Sequence, residues 1–144
     1  MNTAQFLVKS DLKFVDKASF TWQTPSNIAL VKYWGKSNPQ IPKNASISFT
    51  LNNCHTITTI DFERKPNAEL VSESDKKAEF TIFFEGKAKE EFKPKIAEFF
   101  KRIQEYCPYI FDYKMTINSE NSFPHSSGIA SSASGLSAIA MCLM

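Results

Sequence analysis

The sequence predicts an α+β fold, a mostly antiparallel sheet covered by helices. Three observations lead there. Short segments alternate apolar and polar residues as far as Phe84, which is the period of half-buried strands. One long amphipathic segment follows. A last alternating segment then runs into an Ala- and Leu-rich helix, so that strands and helices are largely segregated. At 144 residues the chain has room for one domain with one sizeable core.

Residues 1–17 mix charged and apolar side chains without a period and read as an appendage, leaving 18–144 as the domain. Ser19–Thr24 alternates around Phe20 and Trp22 and reads as a strand ended by Pro25. Ser26–Lys36 is apolar with two lysines and two aromatics, and fits either a buried strand or a short helical turn. Lys32 and Lys36 lie four apart, so a helical turn would aim both ammonium groups to one side. That suits a phosphorylated ligand, and equally lysines snorkelling from a core segment. Ser37–Lys43, with Pro39 and Pro42, reads as a loop.

Ile47–Leu51 and Thr56–Glu63 read as two strands joined by a turn at Asn52-Asn53, with room for a bulge at Thr58-Thr59. Pro66-Asn67 turns the chain, Phe80–Phe84 is a strand, and Glu85-Gly86-Lys87 a tight turn. From Lys89 to Tyr106 the apolar positions Phe92, Ile96, Phe99, Ile103 and Tyr106 follow helical spacing, with Pro94 tolerated in the first turn. Cys107-Pro108 ends that helix. Tyr113–Asn118 is the last strand, and a helix starts at about Ser131. The many Phe residues, 13 in all, read as core.

The bulk numbers exclude some classes. Net charge is only +2, with 17 basic and 15 acidic residues interspersed, which argues against a nucleic-acid partner held by a basic face. Cys54, Cys107 and Cys142 form no C-x-x-C pair and read as buried thiols in a reducing compartment. No run approaches a membrane span and no leader pattern opens the chain, so the reading is cytoplasmic. His55 and His125 read as surface or loop residues. The chain stops inside an apolar helix without a closing residue, which reads as a cut end.

Between the last strand and the last helix lies Ser119–Ser134, dense in Ser with Gly128 inside it. Backbone N–H groups at a helix start lack internal partners, and the dipole adds partial positive charge there. Small side chains would let a phosphate reach them. An ordinary helix capped by Ser fits the same composition. It is not a Walker loop, because no Gly-Lys-Ser/Thr follows, and Gly-x-Gly-x-x-Gly is absent.

Pro124-His125-Ser126-Ser127-Gly128-Ile129-Ala130-Ser131-Ser132-Ala133 resembles the phosphate loop of the GHMP kinases, Pro-x-x-x-Gly-(Leu/Ile)-x-Ser-Ser-Ala. Asn27–Lys36, Pro42–Ser48 and Ser119–Pro124 resemble, in the same order, segments of the diphosphomevalonate decarboxylase family within that superfamily. The resemblance spans about residues 20–144. It implies an N-terminal domain like domain 2 of ribosomal protein S5, binding ATP and Mg2+. The implied reaction phosphorylates the 3-hydroxyl of mevalonate 5-diphosphate, then releases phosphate and CO2 to give isopentenyl diphosphate and ADP.

Carried over by position, the resemblance places ATP on Ser119, Asn121, Pro124, Ser126, Ser127, Gly128, Ile129, Ala130, Ser131 and Ser132. The Ser132 hydroxyl would face the γ-phosphate or its Mg2+, and Lys32 the transferring phosphoryl group; these two are the catalytic candidates. Ala29, Tyr33 and Lys36 would contact the mevalonate part, and Lys93 would stand in for the family's diphosphate-gripping Arg. The chain departs from the family's Thr-Ala-Ala at His125-Ser126-Ser127. The family's catalytic Asp lies beyond Met144, so the 144-residue chain alone is expected to be inactive. A homodimer is implied. A GHMP kinase that does not decarboxylate, and an S5-like module that binds without catalysis, are the alternatives.

Overall fold

The computed structural model describes residues 5, 7, 14–38, 41–66, 77–125 and 127–144. In chain order they form β1 (Lys17–Val31), β2 (Lys36–Ser37), β3 (Ile41–Pro42), β4 (Ile47–Arg64), β5 (Glu79–Phe84), β6 (Lys87–Ala88), α1 (Lys93–Ile103), β7 (Tyr113–Asn121) and α2 (Ser131–Leu143). The α+β architecture is as expected. Pro39, Asn67, Ser126 and most of the 1–17 segment lie outside the described residues.

The main sheet has the order β1-β4-β7-β5-β6 and is antiparallel except where β5 pairs with β7. Parallel neighbours need a crossover, and α1 supplies it. The inward face of β4 reads Thr56, Thr58, Ile60, Phe62, and that of β7 Tyr113, Met115, Ile117. Ile60, Phe62, Tyr113, Met115 and Ile117 join Ile82, Ile96, Phe100, Ile110 and Ile139 in one core between the sheet and both helices. Phe100 stands edge-on to Phe80, with ring centroids 5.2 Å apart.

Several boundaries differ from the sequence reading. Pro25 does not end β1. It sits on an edge strand at a register shift, where a missing N–H costs the ladder nothing. There one step along β1, Pro25 to Ser26, spans four along β4, His55 to Leu51, leaving Asn52, Asn53 and Cys54 as a bulge. Asn52-Asn53 is therefore inside one long strand rather than a turn. Thr58 and Thr59 pair in regular register with Trp22 and Thr21. The alternation looked broken because the inward residues there are threonines, not because a residue is inserted.

Beyond the bulge β1 and β4 continue to Val31 as a paired arm, which overturns the helical-turn option for Ser26–Lys36. The arm is not the buried strand of the other option either, because Ile28, Leu30 and Val31 are exposed on it. Lys36–Ser37 and Ile41–Pro42 pair as a short hairpin inside the expected loop. Glu85 and Gly86 both take positive φ, 50° and 73°, the backbone of a two-residue hairpin turn between β5 and β6. The long helix is shorter than its periodicity suggests. Glu90–Phe92 is a 3-10 turn, Pro94 sits at the start of α1, and Tyr106 falls after its end. Not every Phe is core: Phe20 and Phe49 are half exposed, on the edge strand and on the arm. Cys54, in the bulge, is half-buried rather than buried, and His55 is a half-buried strand residue.

At the C-terminal end of α2, the Tyr109 hydroxyl donates to Leu143 O, beside buried Cys107 and Cys142. Burial pushes both thiols and the Tyr109 phenol above their ordinary values. In the unfolded chain these groups release protons from about pH 8.5 for thiols and about 10 for a phenol. The folded chain retains them, so stability is full below that range and falls as pH rises through it. The urea midpoint is expected to drop between neutral pH and about pH 10, and Tyr109→Phe should lessen the drop. Equal midpoints in the wild-type chain would contradict this.

Candidate functional site

β7 runs past Asn118 to Asn121, so Ser119 and Asn121 stand on a strand, one residue apart and on the same face. Ser119 Oγ lies 2.9 Å from Thr58 Oγ1. Asn121 Oδ1 accepts from Thr56 Oγ1 at 2.8 Å, and the same Thr56 hydroxyl is 2.7 Å from Ser134 Oγ. Thr24 Oγ1 donates to Ser134 O at 2.7 Å. This buried ladder of hydroxyls ties β1, β4 and β7 to the first turn of α2. Leaving a buried polar group unpaired costs about 1–3 kcal/mol, so the ladder holds the helix start in place.

The loop between β7 and α2 is clipped at both ends. Ser122 Oγ accepts from His55 N at 2.9 Å and donates to Asn53 O at 3.0 Å, which fastens the loop to the β4 bulge. At the other end Ala130 N donates to Asn27 O at 3.4 Å, which brings the arm beside the loop. Gly128 takes φ +80°, a region that side chains with a Cβ rarely adopt. α2 starts at Ser131, preceded by Ala130, without a side-chain cap and without an acidic residue in its first turn. Ser131 N and Ala133 N already donate to Ile129 O and Ala130 O, so the Ser132 N–H and the positive end of the dipole are what is left for an anion. The capped-helix reading of the Ser-rich composition does not hold.

Beside this helix start is a cavity of about 170 Å³ between α1, α2 and the sheet. Ser119, Asn121, Ser131 and Ser132 line it from the loop side, and Phe84, Phe92 and Ile96 from the other. Glu91 and Lys95 stand at its charged edge. A backbone hydrogen bond, then the Lys89 ammonium bonded to it at 3.1 Å, holds Glu91 below the usual carboxylate range. On the arm, Asn44 braces the lysine segment: its Oδ1 accepts from Trp34 N at 2.7 Å and its Nδ2 donates to Lys32 O at 3.5 Å. Lys36 Nζ sits 5.2 Å from the centre of the Tyr33 ring.

The family model described as the diphosphomevalonate decarboxylase-like N-terminal domain matches residues 24–144. The chain belongs to this family. Diphosphomevalonate decarboxylase from Bos taurus is 30% identical over 137 residues, covering 85% of this chain and 32% of that protein. The enzyme of that name from Saccharomyces cerevisiae is 33% identical over 126 residues, covering 80% and 30%. Among solved structures, mevalonate diphosphate decarboxylase from Staphylococcus aureus superposes with a TM-score of 0.68 at 29% identity, covering 88% of this chain and 35% of that one. The Enterococcus faecalis enzyme, described with a mevalonate diphosphate-mediated ATP-binding mechanism, gives 0.66 at 31%, covering 86% and 36%. The chain thus spans about a third of the length of the relatives it matches.

Of the residues carried over from the diphosphomevalonate decarboxylase family, the structure brings Ser119, Asn121, Ser131 and Ser132 together around the cavity. Pro124, Ser127 and Gly128 are exposed in the loop, and Ile129 and Ala130 half-buried; Ser126 lies outside the described residues. Ala29 is half-buried on β1, while Lys32, Tyr33 and Lys36 are exposed around the end of the arm. Lys93 is held by Glu90 at 2.8 Å, and Lys95 lines the cavity instead. Thr56, Phe84, Phe92 and Lys95 were not singled out from sequence as site residues, and His125, noted there as a loop residue that departs from the family's Thr, also lines the cavity. Thr56, Phe84 and Phe92 sit in ordinary strand and helix patterns that carry no sign of a cavity.

Proposed function

We propose that this chain is the ATP-binding part of an enzyme that converts mevalonate 5-diphosphate to isopentenyl diphosphate, ADP, phosphate and CO2. The observation that carries the reading is the uncapped start of α2 beside a Gly128 loop and a cavity, in a chain of this family. One solved neighbour is a complex with MVAPP, AMPPCP and magnesium, which supports the same ligands here.

The residues fit ATP. The N–H groups of Ser127, Gly128, Ile129 and Ser132 would take phosphate oxygens, with Ser119 and Asn121 nearer the nucleoside, while Ala130 N and Ser131 N already donate to Asn27 O and Ile129 O. Among the described residues no three His, Cys, Asp or Glu side chains cluster, so Mg2+ would be held by the phosphates with the Ser132 hydroxyl. When bound it would neutralise phosphate charge. Phosphoryl transfer depends on positioning and on neutralising spread negative charge. Lys32, braced through its carbonyl by Asn44, would add a cation near the transferred group, while Ala29, Tyr33, Lys36 and Lys93 would place the substrate. A tertiary alcohol is hindered, so this alignment carries much of the rate.

No described helix is long and apolar enough to cross a membrane. The proposal includes a cytoplasmic enzyme without a nucleic-acid partner, supported by the near-balanced charge, and a homodimer, supported by the resemblance alone. ATP·Mg is expected to raise the melting temperature of the 144-residue chain, without CO2 release from mevalonate 5-diphosphate. CO2 and ADP should appear together from a chain extended to the length of its relatives. ADP without CO2 would move the assignment to a kinase.

A further inference from the structure

We propose that Asn44 is a positioning residue for the substrate side of the reaction, its amide fixing the backbone on both sides of Tyr33. The inference rests on the function proposed above. It concerns the Pro42–Ser48 segment, which carries family resemblance but no assigned contact with substrate or ATP. β1 ends at Val31 and β2 starts at Lys36, so residues 32–35 belong to no strand or helix. Their backbone groups have no ladder to fix them, and Tyr33 is 38% exposed and Trp34 94%. Such a segment holds one shape only if something outside it supplies hydrogen-bond partners.

One side chain does so. Asn44 Oδ1 accepts from Trp34 N at 2.7 Å, and Nδ2 donates more loosely to Lys32 O at 3.5 Å. Those two backbone groups flank Tyr33, so a single planar amide spans it. The amide is itself held, because Nδ2 also donates to Ala45 O at 2.9 Å; its two hydrogens serve the two carbonyls. Beside it Lys43 N donates to Gly35 O at 3.0 Å, and Lys36–Ser37 pairs with Ile41–Pro42, which keeps Asn44 against the segment. The Lys36 ammonium, 5.2 Å from the Tyr33 ring centre, is carried by the same hairpin. A shorter side chain cannot offer an acceptor to one side of Tyr33 and a donor to the other. Slack there shifts Tyr33, and a hindered alcohol is sensitive to shifts of about 1 Å in its alignment.

Steady-state kinetics of the chain extended to the length of its relatives test this. ADP release is followed, since it reads the phosphoryl step whether or not CO2 follows. Wild type is compared with Asn44→Ala, Asn44→Ser, Tyr33→Ala, and Asn44→Ala combined with Tyr33→Ala. Asn44→Ala and Asn44→Ser should each lower kcat/KM for mevalonate 5-diphosphate on the order of tenfold or more. The KM for ATP should stay as in wild type, and the melting temperature should fall only slightly, because Asn44 is exposed. In the Tyr33→Ala background the change at Asn44 should cost markedly less, because the side chain it positions is gone. Unchanged kinetics in both Asn44 variants, an equal rise in the KM for ATP, or the same cost with and without Tyr33 overturns the positioning role and leaves the proposed function intact. A wild-type chain that releases no ADP with mevalonate 5-diphosphate removes the proposed function and this inference together.

Discussion

Phe100→Ala is expected to destabilise the chain by about 3–5 kcal/mol, the largest effect of any single core truncation here. Phe100 is fully buried on α1 and meets Phe80 of β5 edge-on. The change removes the apolar area of a ring and leaves a hole that both α1 and the sheet are too constrained to close. α1 is also the crossover that allows β5 and β7 to run parallel, so loosening it loosens their pairing. Domains of this size are stable by about 5–15 kcal/mol, so the variant should lie near the edge of folding. Urea denaturation followed by far-UV circular dichroism measures it. A loss below about 1 kcal/mol would mean that α1 contributes little to the core.

The elements whose inward residues are apolar were legible from the sequence. Ile96, Phe99 and Ile103 announced α1, and Met115 and Ile117 announced β7. Where the buried face is polar the pattern misled. Thr56, Thr58 and Ser134 are as buried as the isoleucines, but hydroxyl pairs hold them, Thr56 with Ser134 and Thr58 with Ser119, a relation between residues up to 78 positions apart. The same cause hid the end of β7, since Ser119 and Asn121 look like loop residues until Thr58 and Thr56 are placed opposite. Pro25 and Asn52-Asn53 were read as breaks because local turn chemistry is silent about edge position and bulges. The site was legible only where chemistry and order coincide, in the Gly128 loop and the Lys32–Lys36 segment. The cavity beside the loop is assembled where α1 and α2 meet the same face of the sheet, which no local pattern records.

Gly128→Val is expected to weaken ATP·Mg binding by about tenfold or more while leaving the fold nearly intact. Space is not the obstacle, because a Cβ added at Gly128 would meet nothing within 4 Å. The obstacle is the backbone: at φ +80° a β-branched residue is strained by roughly 1–2 kcal/mol. The loop can relieve that strain by turning the peptide, since Gly128 is exposed and has no core contact to hold it. Turning it moves the neighbouring N–H groups away from the anion position ahead of α2, and the aligned donors are what the proposed phosphate cradle consists of. Thermal melting should therefore fall only slightly, while the ATP-induced shift largely disappears. Gly128→Ala, strained but not branched, should give an intermediate result. If Gly128→Val binds ATP·Mg as the wild-type chain does, the loop backbone is not the phosphate cradle, and the nucleotide must be held elsewhere on the domain.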